Sequence, residues 1–284
     1  MGTDKEPPSP YTALLLERRQ DILLISLNRP EKLNALSVHL QTELSDALSA
    51  AAADSSVRVL IVSGEGRAFC AGLDLHEFPA SLTHFQNQNQ NQNQDRPQVQ
   101  SQDRPQNQNI FSQLEQFPLP VIAAINGPAI TGGFELALSC DLLIASTNAR
   151  FADTHGQIGV MPGAGLSQKL SRIIGLPRAM AVSLTGEFLE AETAYAYGLI
   201  SHLVQPGALM PLAWRLAGQI AAGQPAVIRE MKRVIKEGAS ATLARGMEME
   251  REAHERWTRE MDLGELVSRK NQIFQRNRAT PPNR

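Results

Sequence analysis

Residues 126–141, NGPAITGGFELALSCD, set a glycine pair and a carboxylate where a strand hands over to a helix. Just ahead of them, Val121–Ile125 (VIAAI) is an unbroken apolar run of strand length. Gly132 and Gly133 then precede a helix-like segment with Glu135 in its first turn. The first amides of a helix have no acceptor within it and carry the positive end of its dipole. Amides and an acid brought together in this way suit chemistry in which negative charge develops on a carbonyl oxygen.

The elements that must hold this stretch follow from the hydrophobic pattern. Residues 12–17 and Ile22–Leu27 read as paired strands around a polar turn, and Pro30 closes the second strand because proline has no amide to give a ladder. Ser37 suits the N-cap of an amphipathic helix reaching about Ala53, with Leu40, Leu44 and Leu48 on one face. Residues 57–62 form a short apolar strand closed by Gly64 and Gly66, which lack the spacing of a dinucleotide fingerprint. Beyond Val121–Ile125 come a strand at 142–145, helices near 163–174, 178–184 and 191–197, and a last strand at 200–204. From Gly207 the chain reads as helical, at about 208–222, 225–236, 240–261 and 263–275. Early alternation of strand and helix followed by an all-helical end predicts an α/β core with a helical C-terminal subdomain. The core is expected over 11–206, the helical subdomain over 207–276, a disordered N-terminus over 1–10 and a tail over 277–284.

Residues 86–109 differ in kind. Sixteen of these 24 are Gln or Asn, too polar a run to bury a core, so a disordered surface loop is expected there. The remaining composition is that of an ordinary globular protein, 42% hydrophobic and 20% charged. A net charge of −2 gives no electrostatic reason to expect a nucleic-acid or anionic-membrane partner. Cys70 and Cys140 have no metal-site spacing and read as buried thiols in a reducing compartment. No apolar run approaches a membrane span. The cytosol is the default compartment, with peroxisome and mitochondrion left open.

Four blocks carry a resemblance: LNRPEKLNAL (27–36), GRAFCAGLDL (66–75), PVIAAINGPAITGGFELALSCD (120–141) and FADTHGQIGVMPGAGLSQKLSRIIG (151–175). In order and spacing the chain resembles the crotonase superfamily, the enoyl-CoA hydratase/isomerase family. The likeness runs from about residue 12 to residue 275, the Gln/Asn tract excepted. It implies a spiral of ββα units with a C-terminal helical region that trimerises, as a homotrimer or a hexamer. It implies an acyl-CoA thioester as ligand, no separate cofactor and no metal. Two backbone amides form an oxyanion hole in this family, and they map onto Leu73 and Gly132. Substrate contacts map onto Leu73, Asp74, Leu75, His76 and Gly132, and Arg29 and Lys32 are nearby cations that can meet CoA phosphates. Glu135 corresponds to the first of the two catalytic glutamates of the hydratases. The second lies 20 residues later, where this chain has His155. An imidazole there can transfer a proton, position water or substrate, or serve structure only, with Asp153 and Thr154 as candidate partners. The Gln/Asn tract falls where relatives border the acyl pocket, so an expanded loop is expected to bear on chain-length preference.

The leading expectation is an enoyl-CoA hydratase, a lyase adding water to a trans-2-enoyl-CoA. Replacement of the second glutamate keeps two alternatives open: an isomerase working with one glutamate, and a non-catalytic acyl-CoA-binding protein. RNA binding, which some relatives achieve through a Lys-rich first helix, is disfavoured because residues 37–53 contain no Lys or Arg.

Overall fold

The computed structural model describes residues 10–74, 76, 77, 109–264 and 266–271. Two units result, residues 1–225 and 226–284. The first begins with strands β1 (Leu14–Arg19) and β2 (Ile22–Leu27), paired antiparallel about a turn at Gln20 and Asp21. Helix α1 (Val38–Ala53) follows, its Ser37 hydroxyl accepting the Leu40 amide as the N-cap pattern requires. Strand β3 (Val59–Gly64) and, after the undescribed stretch, helix α2 (Ile110–Glu115) lead to β4 (Val121–Ile125), β5 (Ala129–Ile130) and helix α3 (Gly132–Leu138). The same three-part sequence recurs as β6 (Leu142–Ser146), β7 (Arg150–Ala152) and helix α4 (His155–Ile158). Helices α5 (Leu166–Ile174) and α6 (Leu176–Thr185), strand β8 (Leu189–Glu190), helix α7 (Ala191–Ala196), strand β9 (His202–Val204) and helix α8 (Leu209–Ala221) complete the unit.

Each repeat gives one strand to a large sheet, one to a small sheet, and then a helix. The large sheet runs β1-β2-β3-β4-β6-β9, parallel except at β1; the small one runs β5-β7-β8. Isolated parallel bridges Cys70–Ala129 and Leu36–Leu73 carry the second layer onward from β5. This is the crotonase-like spiral of ββα units. The large sheet is buried on both faces, which is why β3 and β4 read as continuous apolar runs. Alternation still sorts their residues: Leu60, Val62, Val121, Ala123 and Ile125 join the main core, while Val59, Ile61, Ile122 and Ala124 pack on α8.

That packing moves one boundary. The hydrophobic pattern separates the helical region at 207, but α8 seats Leu212, Ala213 and Ala217 on the outer face of the sheet, and the division falls after Pro225. The second unit takes α9 (Pro225–Ala239) from its second residue on, α10 (Leu243–Glu260) and helical residues at 263–264 and 266–271. There Arg233 and Arg256 both hydrogen-bond Glu230, and those bonds bring its carboxyl down to about 2. The expectations for residues 1–9, for 86–108 within the Gln/Asn tract and for the tail lie outside the described residues. Asn109, the last residue of the tract, is described and caps α2 by accepting the Phe111 and Ser112 amides.

The hairpin is anchored by a buried acid. The Glu43 carboxylate on α1 accepts the Thr12 and Ala13 amides at 2.9 and 2.8 Å. Burial acts to raise its pKa, but these bonds outweigh it and the net shift is downward. A depressed folded-state pKa contributes stability above the ordinary glutamate value, lost as pH falls through the folded one. Glu43→Gln is expected to cost about 1.5–3 kcal/mol at neutral pH. It should also flatten the loss of stability below about pH 4.3 that the parent shows. Urea melts of both proteins across pH 3 to 7 (approximate bounds spanning the carboxylate range) measure it; parallel curves would refute it.

Candidate active site

Leu73 and Gly132 come together through tight backbone geometry. Gly72 has φ +93, a conformation glycine adopts without strain, and it turns the chain into the bridge with Leu36. The Leu36 amide donates to the Gly72 carbonyl at 2.7 Å and the Asp74 amide to the Leu36 carbonyl at 3.3 Å. Successive backbone groups alternate along an extended strand, so the Leu73 N–H faces the opposite edge. Gly132 stands on that edge, and a Cβ built on it would lie 3.5 Å from the Leu73 nitrogen. Gly132 opens α3, where its amide has no acceptor within the helix. Thr131, just before it, is held at φ 51, ψ −109. Its amide donates to the Ala152 carbonyl, and its hydroxyl hydrogen-bonds the Thr154 hydroxyl at 2.5 Å. The two amides expected at an oxyanion hole are thus neighbours.

Glu135 projects from the first turn of α3 and is buried. Its Oε1 accepts the Ala164 amide at 2.8 Å, which fixes the carboxylate plane and turns Oε2 toward His155. His155 opens α4 and is also buried, with Nε2 3.8 Å from Glu135 Oε2. That separation is too long for a hydrogen bond. The other ring nitrogen, Nδ1, is bonded to Asp153 Oδ1 at 2.6 Å. Burial would raise the Asp153 carboxyl, but hydrogen bonds from the His155 ring, Ser183 and the His155 amide outweigh it and hold its pKa below the ordinary value. Cys70 sits behind this layer, fully buried, and burial pushes its thiol up to about 12, so it is no nucleophile.

These groups face a cavity of about 260 Å³ whose wall includes Leu36, Leu73, Asp74, Gly132, Glu135, His155, Val160 and Met161. A second hollow of about 130 Å³, lined by Ala71, Thr131, Thr154 and Ile158, shares Leu73, His155 and Val160 with it. A concave space on which polar groups converge between apolar walls is the usual form of a small-molecule site. Asn109 and Phe111 also line the larger cavity, so the chain re-enters from the Gln/Asn tract at its edge.

The candidate residues therefore separate. Leu73, Asp74, Gly132, Glu135 and His155 share one cavity wall. His76 is exposed, and its amide donates to Asp74 Oδ1; Leu75 lies outside the described residues. Arg29 does not stand free for a phosphate: both its terminal nitrogens lie 3.1 Å from Asp74 Oδ2, and Nη1 also donates to the Ala35 carbonyl. The pair ties the first block to the segment after Leu73. Lys32 is exposed. Sequence reasoning missed Ala164 and Ser183, which act on Glu135 and Asp153; a backbone amide and a lone serine leave no signal of their own. Among the described residues, no group of three or more His, Cys, Asp or Glu is placed to hold a metal ion. No described helix is long and apolar enough to cross a membrane.

Comparison with known proteins follows the same lines. Residues 17–270 match the family model for enoyl-CoA hydratase/isomerase. The chain is 39% identical over 231 residues to a probable peroxisomal enoyl-CoA hydratase 1 of Arabidopsis thaliana, covering 81% of each protein. It is 32% identical over 244 residues to a crotonyl-CoA hydratase of Syntrophomonas wolfei, covering 86% of this chain and 88% of that one. Among solved structures it resembles enoyl-CoA hydratase subunit I of Geobacillus kaustophilus, with a TM-score of 0.77 and 32% identity over 97% of this chain and 99% of that one. With its spiral of ββα units, its paired Leu73 and Gly132 amides and Glu135 beside them, the chain belongs to the enoyl-CoA hydratase/isomerase family.

Proposed function

We propose that the protein is an enoyl-CoA hydratase, with Glu135 and His155 as its catalytic residues and the Leu73 and Gly132 amides as its oxyanion hole. The observation that carries this reading is the pair Glu135 Oε2 and His155 Nε2, 3.8 Å apart on the wall that also presents those amides. A trans-2-enoyl thioester with its carbonyl oxygen on the two amides would present its double bond to the Glu135–His155 pair. The water oxygen bonds to C3, the C2–C3 π pair becomes the C1–C2 bond of an enolate, and the carbonyl π pair moves onto the thioester oxygen. Glu135 takes the proton lost by the water and returns it to C2 as the enolate collapses, so that H and OH have been added. Each preset amide is worth roughly a hundred- to thousandfold in rate at comparable sites. The reaction needs no cofactor beyond the CoA carried by the substrate. Leu73, Asp74 and Gly132 would contact it, with Leu75 and His76 next along the chain.

The histidine favours a second reading, an isomerase in which Glu135 alone carries a proton between C2 and C4. The protein assayed with crotonyl-CoA and with a 3-enoyl-CoA separates the two. Loss of the enoyl-thioester absorbance with crotonyl-CoA is expected. Turnover of the 3-enoyl thioester alone would select the isomerase, and turnover of neither would leave only acyl-CoA binding. We further propose a homotrimer or hexamer. Leu176, Met180 and Leu184 recur every four residues along α6 at 63%, 50% and 77% exposure, an apolar stripe that a lone protomer would leave in water. Light scattering on the same preparation should give the mass of three or six chains, and the mass of one chain would overturn it.

A further inference from the structure

The fold treats the two ring nitrogens of His155 differently. Nδ1 is hydrogen-bonded to Asp153 Oδ1 at 2.6 Å, whereas Nε2 faces Glu135 Oε2 across 3.8 Å. A carboxylate only accepts, so Nδ1 must be the donor, and in a neutral imidazole that leaves Nε2 bare. Asp153 is itself fixed: it is 2% exposed, its Oδ1 also accepts the His155 amide at 3.2 Å, and Ser183 on α6 donates to it. We propose that Asp153 is a positioning residue that holds His155 as a hydrogen-bond acceptor at Nε2, so that the imidazole does the work of a second carboxylate oxygen.

This rests on the hydratase reading above and says how a histidine can stand where the reaction needs a second acceptor. Water has two hydrogens. With one directed to Glu135 Oε2 and the other to His155 Nε2, a lone pair is left for C3 of the enoyl chain. The opposite tautomer would point an N–H at the water and compete with Glu135 for its orientation. Two carboxylates and a hydroxyl surround the ring. Glu135 faces it from α3 and Asp153 from its own segment, and Ser183 on α6 is neutral. Asp74 and Glu77 line the same cavity. Asp74 is engaged by Arg29, and Glu77 accepts the Val38 amide. Among the described residues lining that cavity there is no lysine or arginine.

The test reads the tautomer directly. In the full-length protein with ¹⁵N-labelled histidine, the His155 ring signals are assigned by their loss in His155→Ala. They should show Nδ1 protonated and Nε2 bare. In Asp153→Ala the proton should move to Nε2, and kcat for hydration should fall roughly a hundredfold with KM within about threefold of the parent. A parent spectrum with Nε2 protonated would overturn the proposal whether or not the variant folds. So would a folded Asp153→Ala that keeps the parent tautomer or the parent kcat. The ring assignment needs no turnover, so a parent enzyme inert toward crotonyl-CoA sinks the hydratase reading and leaves the role of Asp153 decided separately.

Discussion

Glu135→Gln is expected to lower kcat for hydration by about three to four orders of magnitude while leaving the fold intact, at the upper end of what general acid–base groups supply. The fold should survive because the substitution is nearly isosteric and one of its two interactions persists. The carbonyl oxygen of the new side-chain amide can still accept the Ala164 amide, a bond that Glu135 Oε1 makes at 2.8 Å. What changes is the atom facing His155. Oε2 is replaced by an amide nitrogen that donates, so the water loses an acceptor and the enzyme loses its proton carrier. The Leu73 and Gly132 amides are untouched, so thioester binding and some residual rate should remain, and KM should move by less than about threefold. Steady-state kinetics with crotonyl-CoA, alongside thermal melts of both proteins, measure the effect. A loss of less than about tenfold, well short of an acid–base role, would remove Glu135 from the chemistry. The same variant should abolish any isomerase activity, since that reading relies on the same carboxylate.

What was legible in the sequence is what depends on residue type and period. The apolar run of β4, the Leu40–Leu44–Leu48 face of α1 and its Ser37 cap can be read directly, because burial on two faces, helical spacing and a capping hydroxyl each leave a pattern. Strands β5, β7 and β8 leave none. At two or three residues they are too short to show alternation, yet they place Thr131 and Asp153. The site divides in the same way. Glu135, His155 and the glycines could be named from the order of the blocks, whereas the partners that orient them could not. Ala164 contributes only its amide, Ser183 arrives from a helix 28 residues beyond His155, and Arg29 turns to Asp74 through a contact 45 positions apart. Chain order does not encode such contacts; the spiral creates them.

Gly133→Ala is expected to be the most destabilising single-methyl change in the site, and its contrast with Gly132→Ala shows how the oxyanion hole is built. A Cβ at Gly133 would lie 2.0 Å from the Cys70 carbonyl oxygen, 2.7 Å from its carbon and 2.9 Å from the Cys70 Cβ. None of these atoms is the free end of a flexible side chain. Cys70 is held on both sides, its amide on the Pro128 carbonyl and its carbonyl on the Ile130 amide, and it is fully buried. Relief therefore requires α3 to move off the Cys70–Leu73 segment, which breaks the bridge to Ala129 and separates the two amides. Overpacking of this kind costs about 3 kcal/mol or more, at the upper end of its usual range. For a chain of this size that is a fall in Tm of roughly 6–12 °C. A Cβ at Gly132 meets only ordinary contacts, 3.5 Å to the Gly72 Cα and to the Leu73 nitrogen and 3.7 Å to Leu36 Cδ1. Gly132→Ala should thus melt within about 2 °C of the parent, since its cost stays below about 1 kcal/mol. Its methyl nevertheless stands beside the Leu73 amide, where a thioester oxygen must come within about 2.7–3.1 Å of both donors. A loss of kcat of about tenfold or more is expected from that crowding alone, about 1.4 kcal/mol of transition-state stabilisation. Calorimetry and kinetics on the two variants separate the contributions. Equal melting temperatures would mean that Gly133 is not what presses α3 onto Cys70, and an unimpaired Gly132→Ala would place the thioester oxygen elsewhere.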